Sequence, residues 1–307
     1  MGRMSTLHEI AVKFARKQAG MADSLTEEAP ILKRVRWKPA THGMWNVAEK
    51  LTDVRGPGFV EGDAPLPLMH TGSDLIHTDL HVLGGMMEVP TMRAQKFGGA
   101  ARYFADRQET LLKVAGMTTE RQLLLENWLK AARAAKNLKD AGGKGQGWFI
   151  VAVRFDELLN VGLFDPDQFD QGRLLKIAPI NGGNEYPLDS PEYKGVLGYG
   201  VAYRGSFGWQ NLDPKLTCAA VVNIDENNAP TVAMIDDLLA DVRSQPGSTF
   251  LFCSPKAKTY GINPHKVEHV RMTMAEKGVQ TMVESWNGIE IVTSHNFNEK
   301  MAHVDVK

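Results

Sequence analysis

The stretch GAARYFADRQETLLKVAGMTTERQLLLENWLKAARAAKNLKD, residues 99–140, decides the reading of this chain, because it carries a sustained helical rhythm and almost no strand-like residues. Ala, Leu, Lys, Arg, Glu and Gln dominate it, and these side chains lose little rotamer freedom in a helix. Leu125, Trp128, Leu129 and Ala132 fall at i, i+3, i+4 and i+7, so one face is apolar while Arg121, Glu126, Lys130, Arg133 and Lys136 lie elsewhere. An unbroken rod would be on the order of 55 Å long, more than the centre of a compact domain accommodates. Gly116 followed by Met117, Thr118 and Thr119 resembles a helix stop, and Thr119 with Gln122 has capping-box spacing. The expectation is a helix kinked near Gly116, or two helices end to end, leaving through a glycine-rich turn at 142–147.

Outward from this spine, the preceding residues change texture. Residues 41–89 are punctuated by glycine and proline with no helical period. Trp45 to Ala48 and the alternation through Leu75, His77, Asp79, His81 and Leu83 predict two strands joined by a long irregular tip, an extended hairpin projecting from the body. Residues 1–40 read as an arm: 5–18 is a short amphipathic helix candidate with Leu7, Ile10, Ala11 and Phe14 on one stripe, and 31–37 is a short extended piece.

After the spine comes a sheet. Residues 148–155, WFIVAVRF, form the strongest strand candidate; 161–166, 172–179, 193–203 and 216–224 add further strands and turns. Residues 230–243 return to helix with Val232, Ile235, Leu238, Leu239 and Val242 inward and Pro230 near its first turn. Residues 250–253 are a short buried strand, 255–260 a helical turn stopped by Gly261, and Asn287-Gly288 a hairpin turn before a last strand. The last third alternates helix and strand and could form a small domain of its own.

With 307 residues, 43% hydrophobic and 23% charged, the chain is long enough for about two folded domains. Thirty-five Lys and Arg against 36 Asp and Glu, a formal net charge of -1, argue against a protein that grips nucleic acid by neutralising phosphates. Cys218 and Cys253 sit in apolar strand-like runs, which predicts reduced, buried thiols and folding inside a cell. No run of 18 apolar residues and no signal-peptide core is present, so neither membrane insertion nor secretion is indicated.

No catalytic constellation emerges, and no catalytic, cofactor-binding or metal-binding residue is assigned. His70, His77 and His81, with Asp74 and Asp79, are the densest group of potential metal ligands, but their spacing matches no compact metal motif, and strand alternation puts His77, Asp79 and His81 on one polar face. Residues 142–147 lack the Lys-Ser/Thr ending of a phosphate loop, and the glycines at 195–200 suit a flat strand approached closely by another backbone. Cys253 with His265 or His269 reads better as an inert buried thiol than as a nucleophile pair. Tyr199, Tyr203, Phe207 and Trp209 read as cross-strand packing rather than base-stacking residues.

Arm, projecting hairpin, spine helix, long sheet and α/β end, in that order, resemble the major capsid proteins of tailed bacteriophages with the Hong Kong 97 fold. The resemblance is carried by Ala29-Pro30-Ile31-Leu32 with Trp37, by 101–128, by 148–155 with 161–166, by Tyr203 with Phe207-Gly208-Trp209, by 221–225 and by 286–291, all in order from about residue 23 to 297. These stretches look like a short-tailed phage branch whose peripheral strands precede the axial helix, a topological permutation that the order here matches.

The resemblance implies an α+β subunit with an N-terminal arm (1–40), an extended loop (41–90), a peripheral domain with spine helix and long sheet (91–225), an axial domain (226–298) and a C-terminal tail (299–307). It implies a non-enzymatic major capsid protein without cofactors, forming hexamers and pentamers of an icosahedral shell around double-stranded DNA, assembled in the bacterial host cytoplasm and resident in the virion. A portal, a decoration protein and, since no long scaffold-like segment precedes the hairpin, a separate scaffolding protein are the implied partners. The prototype's lysine–asparagine cross-link is not carried over: Lys50 and Asn287 are present, but no motif aligns them. The readings from other classes are a metal-dependent enzyme using His70, His77 and His81, or a virion component forming a small ring.

Overall fold

The computed structural model describes residues 29–62, 65–167, 175–265, 270–274 and 282–306. The helix expected at 5–18, the first residues of the strand expected at 172–179, and His269 lie outside them.

The spine is one continuous helix in three parts: α2 (Ala100–Gln122), a π-helical stretch (Leu123–Leu129) and α3 (Lys130–Ala134), of 23, 7 and 5 residues, about 52 Å in all. The break expected at Gly116 is absent. Thr119 caps nothing; its hydroxyl donates to Ala115 O at 2.8 Å, inside the helix. Gly116 is buried one turn from Leu112 and Glu120, and the helix runs through it without a stop. The irregularity comes seven residues later, at Leu123, for a physical reason. Leu123, Leu124, Trp128 and Leu129 are all buried, and their i, i+1, i+5, i+6 spacing is brought to one side by the wider i→i+5 turn. Leu125, assigned to the inner stripe from its spacing, is only partly buried.

Two sheets flank this helix. In the first, the 15-residue strand β10 (Leu197–Asn211) pairs along one edge with β4 (His81–Pro90). Along its other edge lie β7 (Asn160–Phe164), β8 (Lys176–Pro179) and β9 (Tyr186–Pro187), and β1 (Trp37–Pro39) joins β7 in parallel. Val89, Ala94, Tyr103, Phe104 and Val201 pack this sheet against α1 (Thr91–Lys96) and the start of α2. The glycines of β10 do what their spacing implies: a Cβ on Gly198 would lie 2.3 Å from Val89 O.

The second sheet has the order β13-β14-β15-β12-β6-β11-β5, namely Val270–Met274, Met282–Trp286, Ile289–Thr293, Thr249–Cys253, Trp148–Arg154, Cys218–Ile224 and Leu138–Asp140. Strand alternation divides β6 cleanly. Phe149, Val151 and Val153 face the π-helical part of the spine, with Trp128 stacked on Phe252 at 5.1 Å. Trp148, Ile150 and Ala152 face helix α4 (Val232–Asp241), where Ile235, Leu238, Leu239 and Val242 are buried as expected. The last third therefore has no sheet of its own: β12 lies between β6 and β15. Nor does Gly261 stop its helix. The turn that starts at Pro255 continues to His265, and Gly261 instead leaves room for Ile150 Cδ1, 2.8 Å from where a Cβ would be. Asn287 and Gly288, both at positive φ, make the predicted tight turn.

Residues 29–40 are not a free arm. Ala29, Ile31, Leu32 and Val35 are buried in the cluster that holds Trp128 and Phe155, and the piece expected to be extended turns before β1 begins at Trp37. Glu120, fully buried on the spine, holds the segment in place. It accepts from Ile31 N (2.7 Å), Ser294 Oγ (2.6 Å) and Asn296 Nδ2 (2.6 Å). Burial pushes its carboxyl above the usual range, and these donors offset part of that rise. Arg34 adds an ion pair to Glu290 on β15.

Candidate assembly surface

The hairpin consists of β2 (Trp45–Arg55) and β3 (His70–Asp79), a two-stranded antiparallel ribbon that shares no strand with either sheet. Its root is fixed by polar and aromatic contacts. Trp45 stacks on His42 at 3.9 Å and on His77 at 4.9 Å. Asn46, nearly fully buried, donates to Gln210 Oε1 at 2.5 Å and accepts from Thr41 N at 3.0 Å, and Gln210 in turn donates to Leu158 O at 2.8 Å. Leu80, buried, closes the corner between β3 and β4, with its N–H on Met44 O.

Away from the root the ribbon has little cover. A register shift between Leu51 and Asp53 marks a bulge, a device that bends and twists a strand pair. Beyond Arg55 and His70 the described tip is irregular, and Phe59, Leu66 and Leu68 each keep at least 80% of their surface exposed. Leu51, Val54, Met69 and Leu75 extend the exposed apolar surface down the strands. Scattered exposed apolar residues are ordinary, but a run of this size along one projecting element marks a contact surface. Burying a large apolar side chain contributes about 1.5–3 kcal/mol, so covering Phe59, Leu66 and Leu68 is worth roughly 5–9 kcal/mol before the costs of association.

Two concavities lie beside the hairpin root and the spine. An apolar groove of about 220 Å³ is bounded by Leu83, Met86, Leu111, Val114 and Tyr203. A larger cleft of about 860 Å³ separates the root, at His77, Asp79 and Val82, from the spine between Thr119 and Ala134, with Trp37, Phe207 and Trp209 as its floor.

The histidine group does not converge. His70 pairs with Arg55 at the far end of β3, whereas His77 is seven residues away, about 23 Å along a strand, at 3.3 Å from Asp79. Leu80 separates these from His81, which belongs to β4 and pairs with Phe207, so the single polar face expected for His77, Asp79 and His81 is split between two sheets. Among the described residues, no group of three or more His, Cys, Asp or Glu is placed to hold a metal ion. Cys218 and Cys253 are free and buried, their thiols pushed up to about 12 by burial. Cys253 Sγ lies near Val292 O and Thr293 Oγ1, while His265 contacts Pro230 O, so the two are not a pair. Trp209 packs against Trp128 and Phe155, and Phe207 against Trp37, which accounts for those aromatics structurally. Among the described residues no helix is long and apolar enough to cross a membrane.

Sequence reading identified the hairpin but missed the Glu120 anchor. Its signal was a single acid among Leu112, Gly116, Leu123 and Leu124 on the inner face of the spine.

No protein-family model matches the chain, and no curated protein matches it in sequence. Solved structures do match. A chain of a near-atomic-resolution structure of bacteriophage Epsilon15 superposes with a TM-score of 0.55 at 13% identity, covering 87% of each chain. A chain of the bacteriophage JBD30 capsid superposes with a TM-score of 0.52 at 11% identity, covering 86% of this chain and 89% of that one. At such low identity the shared property is the fold, and it extends over nearly the whole of each chain. The chain therefore has the Hong Kong 97 fold of tailed-phage capsids.

Proposed function

We propose that this chain is the major capsid protein of a tailed bacteriophage, assembling with copies of itself as hexamers and pentamers of an icosahedral shell around double-stranded DNA. Its role in the virion is structural, without catalysis. The observation that carries the proposal is the hairpin: an apolar ribbon anchored firmly at its root and uncovered over much of its length. A surface of this kind gains its burial from a neighbouring molecule, and a head-to-tail contact repeated around a ring closes into symmetric assemblies. The likeness to the Epsilon15 and JBD30 chains supports the same reading.

Within this proposal, 41–90 is the extended loop that overlaps an adjacent subunit, 91–225 the peripheral part and 226–298 the part approaching the shell's symmetry axes. A separate scaffolding protein directs assembly, and portal and decoration proteins complete the particle. Net charge near zero suits an inner surface that encloses DNA without reading its sequence.

The test is particle size. Purified protein co-expressed with its scaffolding partner should form particles of hundreds of subunits by light scattering and negative-stain microscopy. Deleting residues 55–67 should leave a soluble, folded subunit that no longer makes stable shells. A small ring or a monomer from the intact protein, or equally robust shells from the deletion, refutes the proposal.

A further inference from the structure

We propose that the glycine-rich loop 142–147 and Asn223 form a seat for an extended peptide, filled within the subunit by residues 301–306 and open to the same segment of a second copy. The loop has the glycines of a phosphate loop without its ending, and its surroundings give them another purpose. Gly143 donates its N–H to Asn223 O at 3.1 Å, and a Cβ on Gly143 would lie 2.4 Å from that oxygen. A Cβ on Gly147 would lie 2.9 Å from Asn223 Cα. The loop is pressed onto the backbone of Asn223, with no room for a side chain at either position.

Asn223 sits where the register of β11 on β6 shifts between Val221 and Ile224, at φ 58°, and is 3% exposed. Bulges and left-handed residues re-aim side chains. Here the aimed group is a carboxamide with both hydrogens used: Nδ2 donates to Asp140 Oδ1 (2.8 Å) and to Val304 O (2.9 Å), while Oδ1 accepts from Val304 N (2.9 Å). An amide that both donates to and accepts from the main chain of one residue imitates a neighbouring strand, so it reads backbone. Gly147 and Met301 exchange backbone bonds at 2.9 and 2.8 Å, and His303 Nδ1 lies 3.0 Å from Gly143 O. Val304 and Val306 are half-buried against the cluster that contains Leu138, Phe149 and Val222, whereas His303 and Asp305 are exposed. The seat therefore takes an extended strand with apolar residues at alternate positions.

The segment is held as a ligand is held. Among the described residues it joins neither sheet as a strand, and Asn298, Glu299 and Lys300, which lead into it, are exposed. A second copy presents the same groups, so exchange replaces each contact with its equal. The inference does not depend on shell formation, so it stands or falls separately from the function proposed above.

The probe is a fluorescent peptide of residues 299–306, added to the full chain carrying Val304→Asp and Val306→Asp, which release its own segment and lie outside the seat. The peptide should bind this variant at least tenfold more tightly than the wild type, whose own segment competes at about millimolar effective concentration. Asn223→Gly, which keeps the backbone angle, should weaken binding to that variant at least tenfold. Methylation of the peptide's Val304 nitrogen removes the same hydrogen bond without touching the protein and should weaken binding as much. The proposal is overturned if the double variant loses its cooperative urea transition, if it stays folded and binds the peptide no better than the wild type does, or if the methylated peptide binds as well as the unmodified one.

Discussion

Glu120→Ala removes the acceptor on which residues 29–35, the spine and the segment after β15 converge. Ile31 N and Ser294 Oγ then lose their acceptor where water does not reach, each costing about 1–3 kcal/mol, and the lost side chain leaves a small cavity. Release of a carboxyl that burial already disfavours returns part of this, so the net loss is about 3 kcal/mol. Lys33, Arg34 and Arg36 lie in or beside the segment that would open, which makes trypsin a direct probe. A loss of about 3 kcal/mol in local stability raises the cleavable population roughly 100-fold. Urea unfolding of the unassembled chain supplies the global value. Glu120→Gln, which keeps the shape and one acceptor, should cost about 1 kcal/mol. The pH dependence has a definite sign. Because the folded-state pKa is raised, the carboxyl contributes most below its unfolded value of 4.5, and that contribution is lost as pH rises through the folded-state value. The advantage of the wild type over Glu120→Gln should therefore be largest in acid and shrink toward neutrality. Wild-type stability and tryptic rates in Glu120→Ala, or a gap to Glu120→Gln that widens with pH, would refute the anchoring role.

Adjacent glycines in β4 should respond oppositely. Gly84→Ala drives a Cβ to 2.8 Å from Tyr203 O and should cost about 1–3 kcal/mol, whereas Gly85→Ala meets open space and should gain about 0.5 kcal/mol, both read by urea unfolding. Native protein at pH 8 should take up no maleimide or iodoacetamide at Cys218 or Cys253, and both should label once the chain is unfolded, as mass spectrometry would register. Phe59→Ser with Leu68→Ser should leave the unfolding midpoint of the free subunit unchanged while lowering shell yield, since both side chains are exposed in the subunit. A shifted midpoint would mean that the hairpin tip packs on its own chain.

The elements that could be read locally are those whose signal is local. Trp148–Arg154 is apolar at every position but its last and is buried through Val153; Ile235, Leu238, Leu239 and Val242 keep helical spacing; Asn287-Gly288 has the positive φ values its turn needs. The helix irregularity was misplaced because glycine is the stronger local breaker, while the π-helical turn answers to tertiary burial of Leu123, Leu124, Trp128 and Leu129. The same limit hid the Glu120 anchor, whose donors lie 89 to 176 residues away in sequence. The histidines misled in the other direction: regular alternation through His77, Asp79 and His81 took no account of the corner at Leu80. The hairpin was legible because a long, glycine-punctuated stretch with two β-rich ends has few other ways to fold.

The placement of β12 between β6 and β15 also fixes a timetable for synthesis. Strand β6 emerges from the ribosome with one partner, β11, following after some 60 residues, but its other neighbour is not made until residue 253, and the edge beyond that closes only with β15. Ile31 and Arg34, translated early, wait for Ser294, Asn296 and Glu290 before their anchors are complete. Long-range pairing of this kind delays folding until the distant partners exist. Until the strand at 289–293 and the residues just after it have been made, the chain lacks its finished core, whatever has formed before them.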